Sequence, residues 1–287
     1  DSEWNEFKTI YSKSYANRDT EIQRRVIWEE NRDMIQKHNL EADAGKKSFR
    51  LKMNQFGDMR EQEISRKLHG PNGKMYNKKS NVSKIFSATN DKAKLPKSID
   101  WREKGYVTSV KSQNACGSDY AFAAIAALEG QHFRATGKLE ILSEQNINDC
   151  SINYGCNGGS VDKAFEYIIT NKGVDTNASY PYEGLDGDCR FNPNTIGAKM
   201  SGYVDVQQGS EEDLQQVLAT IGPVAVMIDD EHNEFFFYSS GIYSVPNCST
   251  TELSHFVTAV GYDTNGPGQD YYIIKNSWGI FISFFFF

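Results

Sequence analysis

The chain has 287 residues, of which 39% are hydrophobic and 24% are charged, and it carries a net charge of −7. This length and composition suit one large domain or two smaller ones with a sizeable core, and they exclude disordered and collagen-like proteins. No apolar run approaches the roughly 18 residues that a membrane-spanning helix needs, so we expect no membrane partner.

The charge is divided unevenly along the chain. Residues 1–94 carry 20 basic and 14 acidic side chains, a net charge of +6, whereas residues 95–287 carry 11 and 24, a net charge of −13. Opposite charges on two parts favour their association, and the acidic charge of the larger part argues against nucleic acid as a partner. The five cysteines leave one unpaired in an oxidising compartment.

The first third of the chain is predicted to be helical and polar. One set of residues steps by four, three, four and four positions, which places its members on one helical face: Arg24, Trp28, Asn31, Ile35 and Asn39. Taken alone, this set is typical of an amphipathic helix that packs against its neighbour. A turn is predicted at residues 54–58. Residues 71–94 are rich in Lys, Asn and Ser, which predicts an exposed linker that is easily cut.

From residue 95 the sequence changes character. Helices are predicted in an apolar stretch at 121–128, after a capping Ser143, at 162–172 with Gly173 ending the helix, and at 211–221. Runs rich in β-branched and aromatic residues predict strands at 223–228, 255–260 and 271–274. Helices first and strands second indicate two lobes of unlike structure with a cleft between them.

The most informative stretch is residues 113–122, which read Gln-Asn-Ala-Cys-Gly-Ser-Asp-Tyr-Ala-Phe. In papain-like proteases, the nucleophile is the second cysteine of a Cys-Gly-Ser/Ala-Cys-Trp/Tyr pattern, with a His and an Asn about 130–150 residues downstream. Here Asp119 stands at the position of that second cysteine. His255 follows 136 residues later and Asn276 follows 157 residues later.

The chain therefore resembles the papain family of cysteine peptidases and is most similar to cathepsin L-like proenzymes. The helical set and the segment at 54–58 match the inhibitory propeptide, and the Gly-Cys-Asn-Gly-Gly motif at 155–159 matches the peptidase. The resemblance implies an α+β, papain-like two-lobe fold with a helical left lobe and a β-barrel-like right lobe. It divides the chain into a helical propeptide (1–70), a linker with the cleavage region (71–94) and a peptidase domain (95–287).

The resemblance also assigns roles to single residues. Gln113 becomes the donor to the oxyanion, His255 the general acid/base and Asn276 the residue that orients this histidine. Without the resemblance, His255 is an ordinary core histidine and Asn276 a turn residue. Residues implied for the substrate cleft are Gly158, Gly159, Phe256 and Trp278. Phe256 stands where the family usually has a small residue, and it either narrows the pocket or simply repacks.

The cysteines follow the same resemblance. It pairs Cys116 with Cys156 and Cys150 with Cys189, and it leaves Cys248 unpaired because family members continue about thirty residues beyond the Asn-Ser-Trp-Gly motif. We interpret the ending in four Phe as a truncated right lobe. We expect this lobe to have an unpaired strand edge and an aggregation-prone tail.

Asp119 is the departure from the family. A carboxylate keeps the negative charge of a thiolate and suits a helix N-terminus, so it is at least a helix cap, and an ion pair with His255 is expected to survive. Its attack on a peptide would give an anhydride, and the aspartic proteases use two carboxylates that share a proton. We therefore predict a catalytically inactive cathepsin L-like homologue. Two alternatives remain open: an active endopeptidase whose sequence is altered at residue 119, and a propeptide-type inhibitor of related cysteine peptidases.

The resemblance implies no cofactor and no metal. The expected partners are the chain's own propeptide in the cleft, and protein or peptide substrates or related cysteine peptidases. We expect a monomer in the secretory pathway, lysosomal or extracellular.

Overall fold

The computed structural model describes residues 1–70, 84–86, 95–266, 269–279 and 284–286. Residues 1–70, called the N-terminal segment below, form the elements α1 (Ser2–Ile10), α2 (Arg18–Asp43), β1 (Phe49–Leu51) and α3 (Glu61–His69). The predicted linker lies outside the described residues except for 84–86, which contain strand β2 (Ile85–Phe86).

Helix α2 is the long helix that the sequence predicts. It begins after Asn17, whose side chain accepts a hydrogen bond from the backbone N–H of Thr20 and so caps the first turn. Trp28 and Ile35, on the predicted face, are buried. Trp28 packs in a cluster with Trp4 and Phe7 of α1. The inward face of α2 is therefore the one that the spacing predicts.

Asn31 is the buried polar residue on this face. Its Nδ2 donates to the carbonyl oxygens of Gly57 at 2.9 Å and Met59 at 3.1 Å, which ties α2 to the turn before α3. In Asn31→Ala both carbonyls lose this donor, and we expect a loss of about 1–3 kcal/mol in the free energy of unfolding. Thermal unfolding of the full chain measures it. The exposed Asn5 of α1 provides the control, and equal melting temperatures for Asn31→Ala and Asn5→Ala would contradict the prediction.

Residues 95–279, called the body, form two lobes. The helical lobe contains α4 (Asp119–Thr136), α5 (Glu144–Cys150), α6 (Val161–Asn171), β4 (Val174–Asp175) and β5 (Ile196–Ala198). The strand lobe contains β3 (Ile99–Asp100), β6 (Asp205–Val206), α7 (Glu211–Thr220), β7 (Val224–Ile228), α8 (Asn233–Phe236), β8 (Tyr238–Gly241), β9 (His255–Thr264) and β10 (Asp270–Lys275), and is extended by β11 (Phe284–Phe286). The predicted α+β two-lobe fold is confirmed.

Strand β9 is the centre of the strand lobe. It pairs antiparallel with β3, β7 and β10. Helix α4 packs against β9 and β7, because its apolar residues from 120 to 128 are buried. Asp119 is the first residue of α4 and His255 the first residue of β9, so both elements start at the boundary between the lobes. This arrangement positions the candidate site.

The N-terminal segment docks on the strand lobe mainly through apolar contacts and strand pairing. Strand β1 of the segment pairs antiparallel with β8. Strand β2, which lies outside the segment, pairs parallel with β6. One buried cluster combines residues of the segment and of the body: Phe49, Phe56, Ile64, Leu68, Phe235, Phe236, Tyr243 and Trp278. Basic residues of the segment make ion pairs within it, such as Lys13 with Asp58 at 2.6 Å and Arg24 with Glu63 at 2.8 Å. These basic residues are therefore paired within the segment. The composition had suggested that they would pair with the acidic body.

One expectation needs correction. The helix predicted at 162–172 ends at Asn171, and Lys172 rather than Gly173 adopts the left-handed cap conformation, with φ 64°. Strand β11 runs antiparallel to β10, with Phe286 opposite Ile273, and it is the terminal strand of this sheet among the described residues, so the expected edge lies at β11. Among the described helices, none is both long and apolar enough to cross a membrane.

Candidate active site

The four residues that the sequence places in a catalytic arrangement meet at the boundary between the lobes. Gln113 precedes α4, Asp119 begins it, His255 begins β9 and Asn276 directly follows β10. All four are exposed by 3% or less. Residues that lie far apart in sequence therefore form one buried group between the lobes.

The Asp119 carboxylate links the two lobes. Its Oδ2 lies 3.0 Å from Nδ1 of His255 and accepts a hydrogen bond from the backbone N–H of Phe256 at 2.8 Å. Its Oδ1 accepts from the N–H of Tyr120 at 2.9 Å. Burial alone raises the pKa of Asp119, but the hydrogen bond with His255 and the charge of His69 outweigh it and hold this pKa well below its usual range.

The His255 ring is held on three sides. Its Nε2 lies 2.8 Å from Oδ1 of Asn276, and its Nδ1 faces Asp119. The indole of Trp278 stacks on the ring with a centroid distance of 4.7 Å. Both ring nitrogens face oxygen acceptors, an arrangement that suits a doubly protonated imidazolium. Asn276 and Trp278 fix the plane of the ring.

The Gln113 side chain holds a carbonyl group of the N-terminal segment. Its Nε2 donates to the carbonyl oxygen of Leu68 at 2.8 Å and to that of Cys116 at 2.9 Å. Ser277 Oγ donates to Oε1 of Gln113 at 2.6 Å, which fixes the orientation of the amide. The amide expected to stabilise an oxyanion is therefore engaged by the backbone of the N-terminal segment.

The backbone at residues 68–70 lies directly on the cleft wall. A Cβ at Gly117 would stand 2.6 Å from the carbonyl oxygen of Cys156 and 2.7 Å from the carbonyl carbon of His69. A Cβ at Gly70, which has φ 72°, would stand 2.8 Å from Cα of Asn157. Only glycine at these two positions allows so close an approach of the two chains. The N-terminal segment thus occupies the cleft.

The residues predicted to line the cleft have different surroundings. Gly158 and Gly159 are buried in the wall immediately after Asn157. Trp278 contacts Phe56 of the N-terminal segment edge-to-face, with ring centroids 6.1 Å apart. Phe256 is only 8% exposed and packs in the core of the helical lobe.

Two further residues belong to this group, and sequence reasoning missed both. His69, the last residue of α3, places Nε2 2.9 Å from Oδ2 of Asp230 and Nδ1 3.9 Å from Oδ2 of Asp119. Asp230 Oδ1 accepts a hydrogen bond from Ser254 Oγ at 2.6 Å. Burial lowers the pKa of His69, but the two carboxylates outweigh it and raise this pKa to about 10. The available signals were weak: a histidine before Gly70, and an acid just after a predicted strand.

Disulfide bonds join Cys116 to Cys156 and Cys150 to Cys189, and Cys248 is free and half-buried. The first bond holds the loop before α4 against the cleft wall. Burial and the nearby charge of Asp229 raise the pKa of the Cys248 thiol. This thiol is therefore a poor nucleophile near neutral pH.

Two groups of described residues bring metal-ligand atoms within 4.8 Å of one another: His69, Asp230 and His255, and Asp229, His232 and Cys248. In each group one pair is hydrogen-bonded: His69 with Asp230 at 2.9 Å and His232 with Asp229 at 3.1 Å.

Comparison with known proteins gives consistent matches. The family model for papain family cysteine proteases matches residues 95–281, and that for the cathepsin propeptide inhibitor domain matches residues 4–64. A cathepsin L-like peptidase of Aedes aegypti is 46% identical over 284 residues, which cover 96% of this chain and 84% of the relative. Cathepsin L of Sarcophaga peregrina is 46% identical over 283 residues, with the same shares. The structure of digestive procathepsin L2 proteinase from Tenebrio molitor larval midgut matches with a TM-score of 0.91 and 37% identity, covering 99% of this chain and 93% of that one.

Proposed function

The chain belongs to the papain family of cysteine proteases and carries a cathepsin propeptide inhibitor domain, and from this membership we propose that it is a cathepsin L-like proenzyme homologue without peptidase activity. The observation that carries the proposal is Asp119, which begins α4 and lies 3.0 Å from His255. A cysteine thiolate at this place is the nucleophile of the family's reaction.

The surroundings of Asp119 argue against a substitute chemistry. Its lowered pKa makes the carboxylate a weak base, so it is poorly suited to activate water near neutral pH. The carboxylate pair of an aspartic protease shares one proton. Here Asp119 and Asp230 contact opposite nitrogens of the His69 ring, so the histidine stands in place of a shared proton.

The other site residues then keep the family's geometry without its reaction. We propose that Gln113, His255 and Asn276 occupy the positions of oxyanion donor, general acid/base and orienting residue. In the inactive chain, Gln113 holds the propeptide at Leu68. Asp119 holds the two lobes together through its contacts with His255 and with the backbone N–H of Phe256.

The proposed domains follow the same reasoning: a propeptide over 1–70, a linker with the cleavage region over 71–94 and a peptidase domain over 95–287. The two disulfides support an oxidising compartment, so we propose that the chain enters the secretory pathway and is lysosomal or extracellular. We propose that it is a monomer whose cleft is filled by its own propeptide, with peptides or related cysteine peptidases as further partners.

Turnover of a fluorogenic dipeptide substrate tests the proposal. We expect the full chain, after an added protease has cut the linker and has then been removed with the released propeptide, to show no hydrolysis above the blank, because position 119 offers no thiolate. An active papain-family peptidase, treated in the same way, shows that the assay works. Hydrolysis that a thiol-directed epoxide abolishes would refute the proposal.

The alternative of an active endopeptidase requires a cysteine at position 119. Mass spectrometry of the proteolytic peptide that contains residue 119, prepared from the natural protein, distinguishes the two directly. A mass for aspartate supports the inactive homologue, and a mass for cysteine supports the active enzyme.

A further inference from the structure

Two buried carboxylates converge on the side chain of His69. Asp119 comes from the start of α4 and Asp230 from the segment that follows β7, so the helical lobe and the strand lobe contribute one each. Their side chains are 2% and 0% exposed, and that of His69 is 4% exposed. A histidine of the propeptide is thus enclosed between two acids of the body.

The hydrogen bonds show how each acid is satisfied. Asp230 receives Ser254 Oγ on Oδ1 and contacts His69 with Oδ2. Asp119 already accepts from His255 and from the backbone of Phe256. Nδ1 of His69 is buried without a hydrogen-bond partner and points toward Asp119 Oδ2 at 3.9 Å, which is an electrostatic contact. Each ring nitrogen therefore faces one carboxylate.

We propose that Asp119 and Asp230 form an anionic subsite of the cleft that binds one cationic side chain of a peptide, and that His69 is its built-in occupant. The proposal goes beyond the proposed function. It rests on the docked propeptide and shares with the proposed function only the presence of Asp119.

The chemistry favours a cation over a neutral group. A buried carboxylate without a partner is strongly unfavourable, and two of them on one position add repulsion between like charges. A neutral imidazole offers a proton on one nitrogen only, so it can serve Asp230 or Asp119 but not both. An imidazolium carries a proton on each nitrogen and faces both acids.

The backbone contacts on either side of His69 indicate that the subsite binds the side chain of a peptide whose backbone is held in the cleft. Gln113 holds the carbonyl oxygen of Leu68 at 2.8 Å. Gly70 lies against Cys156 and Asn157 so closely that no Cβ fits there. The side chain at position 69 is thereby directed between the acids, and a peptide held at the same two points would present its own side chain in the same place.

The pH dependence of this contact has a definite sign. The ionisable groups that face His69 are Asp119 of α4, Asp230 beyond β7 and His255 of β9. The carboxylates raise the pKa of His69 to about 10, so its contribution is complete below the free value of about 6.5 and is lost as the pH rises toward 10. The pKa values of Asp119 and Asp230 are both lowered, so mild acid leaves the acids charged. Acid therefore preserves this contact of the propeptide.

Chemical rescue in the full chain tests the subsite. We expect His69→Ala to lower the melting temperature by several degrees, and added imidazole, largely protonated at about pH 6, to restore part of that loss. Pyrazole has a ring of the same size that stays neutral at this pH, so we expect it to restore little. In His69→Ala/Asp230→Asn, the response to imidazole should disappear. Equal rescue by imidazole and pyrazole, or rescue that survives in the double variant, would overturn the proposal.

A second pair of variants covers the case in which His69→Ala does not fold. His69→Lys keeps a cation and His69→Gln does not, so we expect the lysine variant to melt at the higher temperature near pH 8, where its charge is retained. Equal melting temperatures for the two variants would overturn the proposal. These measurements record docking and not turnover, so their failure leaves the proposed lack of activity untouched.

Discussion

Asp119→Cys should give this chain a peptidase activity that we propose the wild type lacks. The introduced thiol would stand at the N-terminus of α4, where the helix dipole and His255 favour a thiolate. Ser277 already holds the Gln113 amide in a fixed orientation, so this side chain is available for its proposed role as oxyanion donor once the propeptide leaves. Loss of a nucleophile from a catalytic triad can reduce kcat by about a factor of 10⁶, so we expect a gain of at least about 10³-fold in kcat/KM.

The measurement is hydrolysis of a fluorogenic dipeptide by Asp119→Cys and by the wild type, each after removal of the propeptide. Asp119→Ser is the matched control, because it supplies a hydroxyl without the acidity of a thiol, and it should remain inactive. Asp119→Cys/His255→Ala should lose the gained activity, because no imidazole remains to hold the thiolate.

Alkylation of the introduced thiol shows whether the cysteine at position 119 is reactive, independently of whether the variant hydrolyses the substrate. We expect it to react with a thiol-directed epoxide at a pH below that of ordinary thiols. The wild type supplies the background, since its Cys248 is half-buried and its pKa is raised. A variant that is alkylated rapidly but hydrolyses nothing would show that the cleft lacks more than the nucleophile.

The residues whose spacing matches a family motif could be placed from the sequence. Gln113, Asp119, His255 and Asn276 are up to 163 positions apart and meet in one buried group, because the motif carries the geometry of the family's fold. The face of α2 followed from its four-three-four spacing, since side chains at that spacing align on a helix.

The contacts of His69 could not be placed in this way. His69 and Asp230 are separated by 161 residues, and neither lies in a periodic pattern from which the other could be predicted as its contact. Net charge gave only the expectation that the two parts attract. The structure shows that several arginines and lysines of the propeptide pair with acids of the propeptide itself, while His69 pairs with the body. Which charges meet depends on tertiary packing, and composition does not record it.

Asp119→Ala should destabilise the chain by about 3–5 kcal/mol, which is the usual loss when one partner of a buried ion pair is removed. The variant leaves the His255 ring and the backbone N–H of Phe256 without their shared acceptor, and it removes one of the two carboxylates that face His69. Asp119→Asn keeps the shape of the side chain, so the loss of unfolding free energy in this variant measures the contribution of the negative charge alone. Asp19, exposed in the first turn of α2, is the matched control, because Asp19→Ala removes only a helix-dipole contact worth about 0.3–1 kcal/mol.

The pH dependence identifies the carboxylate as the cause. The pKa of Asp119 is lowered in the folded chain, so its contribution is present above the unfolded value of about 3.9 and is lost as the pH falls through the folded value. The difference in unfolding free energy between the wild type and Asp119→Asn should therefore persist from about pH 7 to about pH 4 and shrink in stronger acid. A difference that fades between about pH 7 and pH 5 would place the charge on another group, because a carboxylate paired with His255 stays ionised over that range.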